Sequence, residues 1–158
     1  MCGIYGIVSS ESPVLCNIGS HLNHRGPDYN GEYQDSHIII GHTLLSIRGD
    51  ELKSRQPCSD ANSPWVMAFN GQLYNTNEIK EIISKEFLNE DIDTVLLYEL
   101  IKLKGWHFID YIEGMFSIVL YNTEKKLLKL YRDESGQKHL YYNLSYNKLS
   151  FASEIEAL

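Results

Sequence analysis

Read in order, the apolar segments of this chain form three blocks: strand-like, then helical, then strand-like again. That order narrows the fold more than any single residue does. The first block holds Ile4 to Val8, "HIIIGHTLLSI" at 37–47 and Trp65 to Asn70, which are short apolar runs of strand length. The Asn70-Gly71 pair that follows is a turn signal and is expected to close the third run. Two helices are expected next. One runs from Asn77 to about Phe87, and "DTVLLYELIKLKG" at 93–105 forms the other, with Asp93 as N-cap and Gly105 as stop. The second is apolar most of the way round, as a buried helix is. From Gly114 onward "GMFSIVLY", "LLKLYRD", "HLYYNL" and "KLSFAS" are strands joined by polar turns. Ahead of these blocks, Val14 to Leu22 reads as a helix running into the turn-rich "HRGPDYNG". A βαβ protein would alternate its elements; grouped strands and helices imply a layered α+β domain.

Composition removes several classes of function. A chain of 158 residues, 43% hydrophobic and 22% charged, is one globular domain rather than a disordered segment. A formal net charge of −7 argues against nucleic acid or an anionic membrane as partner. No basic n-region precedes the first apolar run, and no stretch approaches the ~20 residues that span a bilayer. Cys2, Cys16 and Cys58 are an odd number without metal-like spacing, and His24, His42 and His139 add no zinc pattern, so no metal or cofactor is expected. The expected compartment is the cytoplasm.

The opening "MCGIYGIV" places a cysteine directly behind the initiator methionine. A small second residue favours removal of Met1, which would give Cys2 both a thiol and a free α-amine. An α-amine titrates near ~7.7–8.0 and a thiol near ~8.5, so proton transfer between them is nearly balanced. Such a pair can attack a carboxamide carbon and then protonate departing ammonia. A small buried hydrophobe is the other reading of Cys2.

Taken together, "MCGIYGIV", "HRGPD", "GHTLLSI", the Gln56-Pro57 pair, "NGQLYN", the Asp93-Thr94 pair, "GMFSIVLY", "RDESGQKHLYY" and "FASEIEAL" resemble a known family. It is the glutaminase domain of class II (N-terminal nucleophile) glutamine amidotransferases, most closely that of asparagine synthetases. The pieces stand in the family's order and span residues 1–158. The resemblance implies a four-layer αββα sandwich with the N-terminal residue at one end between the sheets. It implies glutamine hydrolysis through a Cys2 thioester, with ammonia passed to a synthetase partner or domain. No SGGxDS-type or GxxxxGK[ST] loop occurs here, so a glutaminase half without its synthetase is expected.

Roles follow from the same resemblance. The Asn70 side chain and the Gly71 backbone N–H would donate to the tetrahedral oxyanion, which needs preorganised donors. Gln72 takes the place of the family's usual glutamate beside them. Asp93 would hold the substrate α-ammonium, where a charge-assisted hydrogen bond is strong. Arg25, in the Arg25-Gly26-Pro27-Asp28 loop, would organise the site near the nucleophile. The bland alternatives are a hairpin turn for Asn70-Gly71, a helix cap for Asp93 and surface charge for Arg25.

One departure stands out. The family's arginine for the glutamine α-carboxylate falls two residues after the histidine of "GH-x-R", and here that position is Leu44. Arg48 is the nearest substitute, about 13 Å farther along an extended strand unless the Arg48-Gly49-Asp50 segment turns back. Three readings therefore stay open: a glutaminase with Arg48 as replacement, a degenerate amidotransferase domain kept for binding or assembly, and an amidase for an amide without an α-carboxylate.

Overall fold

The computed structural model describes residues 1–11, 13, 18–47 and 50–158. The expected helix at Val14 to Leu22 falls partly outside them, and Arg48 wholly so. Two antiparallel sheets form the centre. The first has five strands in the spatial order β2 (Tyr29–Gln34), β3 (Ile38–Leu44), β1 (Gly3–Ser9), β9 (Lys148–Ala152) and β8 (Tyr141–Ser145). The second has four: β4 (Cys58–Ser59), β5 (Trp65–Leu73), β6 (Gly114–Asn122) and β7 (Leu127–Arg132). The helices are α1 (Ile18–His21), α2 (Glu51–Ser54), α3 (Thr76–Ile82) and α4 (Asp93–Lys104).

The period-two alternation of strand side chains builds the layers. Ile4, Ile38 and Ile40 of the first sheet meet Val66, Ala68 and Val119 of the second in a dry layer between the sheets. The other face of β5, through Trp65, Met67, Phe69 and Leu73, packs on Leu96, Leu97, Leu100 and Ile101 of α4. Each such side chain, fully buried, contributes roughly 1.5–3 kcal/mol of transfer free energy. The outer face of the first sheet is covered more thinly, by Tyr5, Leu22, Ala152 and Ala157 around α1. The order is helix, sheet, sheet, helix, the αββα sandwich that the resemblance implied.

Three local expectations need correction. Asn70 and Gly71 form no turn: β5 runs through them, with Asn70 opposite Ser117 and Gly71 opposite Phe116. Cross-strand pairing overrides the local preference, and a Cβ on Gly71 would collide with the Met115 carbonyl oxygen. The helix at 77–87 breaks, because Ile83 and Ser84 are extended before a 3-10 turn at Lys85–Phe87. That break lets Ile79, Ile82, Ile83 and Phe87 all reach the core on α4. The N-cap of α4 is Ile92, not Asp93, whose carboxylate is turned to β5 instead. Gly105 does end that helix, at φ 56°, donating its N–H to the Ile101 carbonyl. Sequence pattern also missed β2, whose mixed polar composition reads as a loop and suits an exposed edge strand.

Candidate active site

The alternation that fills the dry layer also brings polar residues to one of its ends. Cys2 lies two residues before Ile4, Leu44 four after Ile40, and Asn70 two after Ala68, so all three share the inter-sheet face. They line a cleft of about 360 Å³ together with Gln56, Gly71 and Asp93. The half-buried Cys2 sulfur accepts from the Leu45 backbone N–H at 3.5 Å. Met1 lines the same cleft, and its sulfur accepts from Lys138 Nζ at 3.3 Å.

The strand that carries Cys2 is held from both sides. Arg25 donates through Nε to the Cys2 carbonyl at 3.0 Å and through Nη1 to Glu154 at 2.8 Å. The hydrogen bond from Arg25, against a smaller burial cost, keeps the Glu154 carboxyl below the usual glutamate range. Ser153 adds two bonds to Ile4: its Oγ accepts the Ile4 N–H at 2.9 Å, and its N–H donates to the Ile4 carbonyl at 2.8 Å. The structure therefore puts Arg25 on the backbone of the segment that carries Cys2, and little of its side chain is exposed.

The second sheet contributes through β5. In an antiparallel pair, alternate residues direct both backbone groups toward, then away from, the partner strand. Phe116 turns its backbone groups to Asp133, on the β7 side, so Gly71 opposite it points away from β6. Phe69 and Leu73 point the same way, and each finds a side-chain partner. The Phe69 N–H donates to Gln56 Oε1 at 2.6 Å, and the Leu73 N–H to Asp93 Oδ2 at 2.8 Å. Between those two bonds Gly71 lines the cleft, with its N–H on the side away from β6.

The Asn70 amide is just as available. Among the described residues its Nδ2, 3% exposed as a residue, has no hydrogen-bond partner. A buried amide left this way costs about 1–3 kcal/mol, so it points to a missing acceptor. Neighbouring groups share the condition: Ser117 Oγ, across from Asn70 on β6, and both ring nitrogens of His42 lack partners among the described residues. His42 is fully buried in the core. Burial pushes its pKa down to about 4, against a weaker opposing pull from the Phe69 backbone, so the ring is neutral at pH 7.

Of the residues singled out from sequence, Cys2, Asn70, Gly71 and Asp93 converge on the cleft, and exposed Gln72 lies at its rim. Leu44 is buried in its wall. Gln56 and Thr94 were not singled out as site residues. Gln56 is 4% exposed and bonds both backbone groups of Phe69, and the Gln56-Pro57 pair within the resemblance was the available signal.

A family model described as "Glutamine amidotransferase domain" matches residues 1–158. The chain belongs to that family. Glutamine-hydrolysing asparagine synthetase 2 of Bacillus subtilis is 32% identical over 166 residues, covering 100% of this chain and 22% of that protein. Glutamine-hydrolysing asparagine synthetase B of Escherichia coli is 30% identical, covering 100% of the chain and 30% of that protein. An amidase of Gibberella zeae, chry2, is 32% identical over 99% of the chain and 26% of its own length. This amidotransferase domain thus spans between 22% and 30% of the relatives it matches here. Its fold is similar to that of B. subtilis glutamine phosphoribosylpyrophosphate amidotransferase, solved with ADP and GMP. The TM-score is 0.76 at 21% identity, over 99% of this chain and 42% of that one.

Proposed function

We propose that this amidotransferase domain is a cytoplasmic glutaminase module that releases ammonia from glutamine for a synthetase domain or partner of the asparagine synthetase kind. One observation carries the reading: the Cys2 thiol, the unpartnered Asn70 amide, Gly71 and the Asp93 carboxylate line a single cleft. After removal of Met1, the Cys2 α-amine takes the thiol proton and the sulfur attacks the glutamine carboxamide carbon. Asn70 Nδ2 and the Gly71 N–H receive the oxyanion, a contribution that depends on their being aimed before the charge develops. The C–N bond then breaks, the amine returns the proton to ammonia, and water hydrolyses the Cys2 thioester to glutamate. Asp93 supports the substrate α-ammonium, and Arg48 takes the α-carboxylate that Leu44 cannot hold. Gln72 lies at the mouth as a neutral polar contact, and Arg25 keeps the Cys2 backbone in place.

The amidase reading retains a specific observation in its favour, since an apolar Leu44 lines the cleft and two relatives are named amidases. One experiment addresses both. Protein whose intact mass shows Met1 removed is assayed for ammonia release from glutamine and from amides lacking the α-carboxylate. Glutamine is expected to be the better substrate, Cys2→Ala to be inactive, and a glutamine-mimicking diazoketone to label only the wild type. Preference for simple amides would select the amidase reading. Equal ammonia release by wild type and Cys2→Ala would leave a domain kept for binding or assembly.

A further inference from the structure

The second sheet is narrow beside the cleft. β4 pairs with β5 only at Val66 and Met67, so among the described residues β5 has no neighbouring strand on that side from Phe69 to Leu73. Three consecutive outward-pointing residues, Phe69, Gly71 and Leu73, would present bare backbone there. Side chains replace the strand instead. The Gln56 carboxamide bonds Phe69 as a facing peptide would, accepting its N–H at 2.6 Å and donating Nε2 to its carbonyl at 3.0 Å. The same Nε2 reaches Thr94 Oγ1 at 3.4 Å, in the first turn of α4 next to Asp93. Asp93 in turn holds Leu73.

We infer that Gln56 is a positioning residue for the reaction, an amide that substitutes for a missing strand and fixes the oxyanion donors relative to Asp93. This rests on the glutaminase reading of the cleft. Phe69 immediately precedes Asn70, so clamping both of its backbone groups sets where the Asn70 amide and Gly71 N–H point. The bond to Thr94 ties that segment to the helix start that presents Asp93. A donor or reacting atom misplaced by about 1 Å can cost about 10²-fold in rate, so a residue that never meets substrate can act on turnover.

The test separates the two ties. Gln56→Leu removes both clamp bonds and is expected to lower kcat for glutamine about 10²-fold while KM changes little. Thr94→Val cuts only the tie to α4. It is expected to raise KM about two- to tenfold, the worth of one neutral hydrogen bond, with kcat retained. Should Gln56→Leu fail to fold, Gln56→Glu keeps the acceptor for the Phe69 N–H, loses the donor, and is expected to lower kcat in the same sense. Near-ultraviolet circular dichroism identifies the folded variants, and diazoketone labelling of Cys2 in them checks that the nucleophile is intact. A folded, labelled Gln56 variant with kcat within about twofold of wild type overturns the inference. An inactive, unlabelled wild type would refute the glutaminase reading instead. The positioning role is then read from amide hydrogen exchange: faster exchange at Phe69 and Gly71 in Gln56→Leu, with Val66 to Ala68 unchanged, supports it, and unchanged exchange overturns it.

Discussion

The layer between the sheets has two ends, about 20 Å apart along β3, and they treat polar groups in opposite ways. At the end near Ile38, Asp35 accepts from the backbone N–H groups of His37 at 2.7 Å and Ile38 at 3.0 Å. It also accepts from the Tyr121 hydroxyl at 2.9 Å and Lys126 Nζ at 3.0 Å. Burial alone would raise the Asp35 pKa, yet these donors outweigh it and hold the carboxyl below its ordinary range. At the Cys2 end, Asn70 Nδ2, Ser117 Oγ and the His42 ring have no partner among the described residues. One end is saturated with hydrogen bonds and the other has spare capacity. Unspent donors in a folded interior mark where a ligand is expected.

The contrast can be broken at either end. The largest expected effect is at Asn70. Asn70→Ala should lower glutamine turnover about 10²–10³-fold, as losing one oxyanion donor does. Its melting temperature should be unchanged or slightly raised, since the amide lost has no partner in the resting protein. Steady-state kinetics beside a thermal melt checks both, and a large loss of stability would mean that the Asn70 amide is structural.

His42 gives the next effect, in stability against pH. The folded ring stays neutral down to about 4, whereas an unfolded histidine takes up a proton near ~6.5. Between those values the unfolded chain binds more protons. The stability present above pH ~6.5 is therefore lost as pH falls toward 4, by about 3 kcal/mol. Denaturant titrations at pH 7, 5.5 and 4 should show that slope in the wild type and lose most of it in His42→Leu. The smallest effect is at the saturated end. Tyr121→Phe should cost about 1 kcal/mol of stability and leave turnover unaltered, because Asp35 keeps three other donors.

Much of this architecture was legible from pattern, and the failures have a common cause. Alternating or continuous apolar runs such as 38–40 and 118–120 carried strand information, and helix α4 announced itself through its length and Gly105. Asn70-Gly71 misled because an Asn-Gly pair is a turn signal only where no neighbouring strand competes for the backbone, and here β6 does. Asp93 misled in a related way. A carboxylate at a helix start caps its own helix when solvent is the alternative, but here the Leu73 N–H was within reach. The resemblance supplied Cys2, Asn70, Gly71 and Asp93 as one set, and the structure gathers them. Gln56 could not be weighed from sequence, because its use depends on where β4 stops pairing with β5. That is a property of two strands in space.

The place of β1 in its sheet bears on how the protein is made. β1 lies between β3 and β9, and Ile4 bonds Ser153, which follows it by 149 residues. During synthesis at about 5–20 residues per second, the strand behind Cys2 would wait roughly 8–30 s for its second neighbour. Over that interval it exposes a free edge of the kind that recruits other strands. A ribosome pausing before codon 150 would lengthen the exposure, while substitutions that speed pairing of β1 with β3 would leave it untouched. Aggregation during expression should therefore track changes in β9 and Ser153 more closely than their modest share of the buried core suggests.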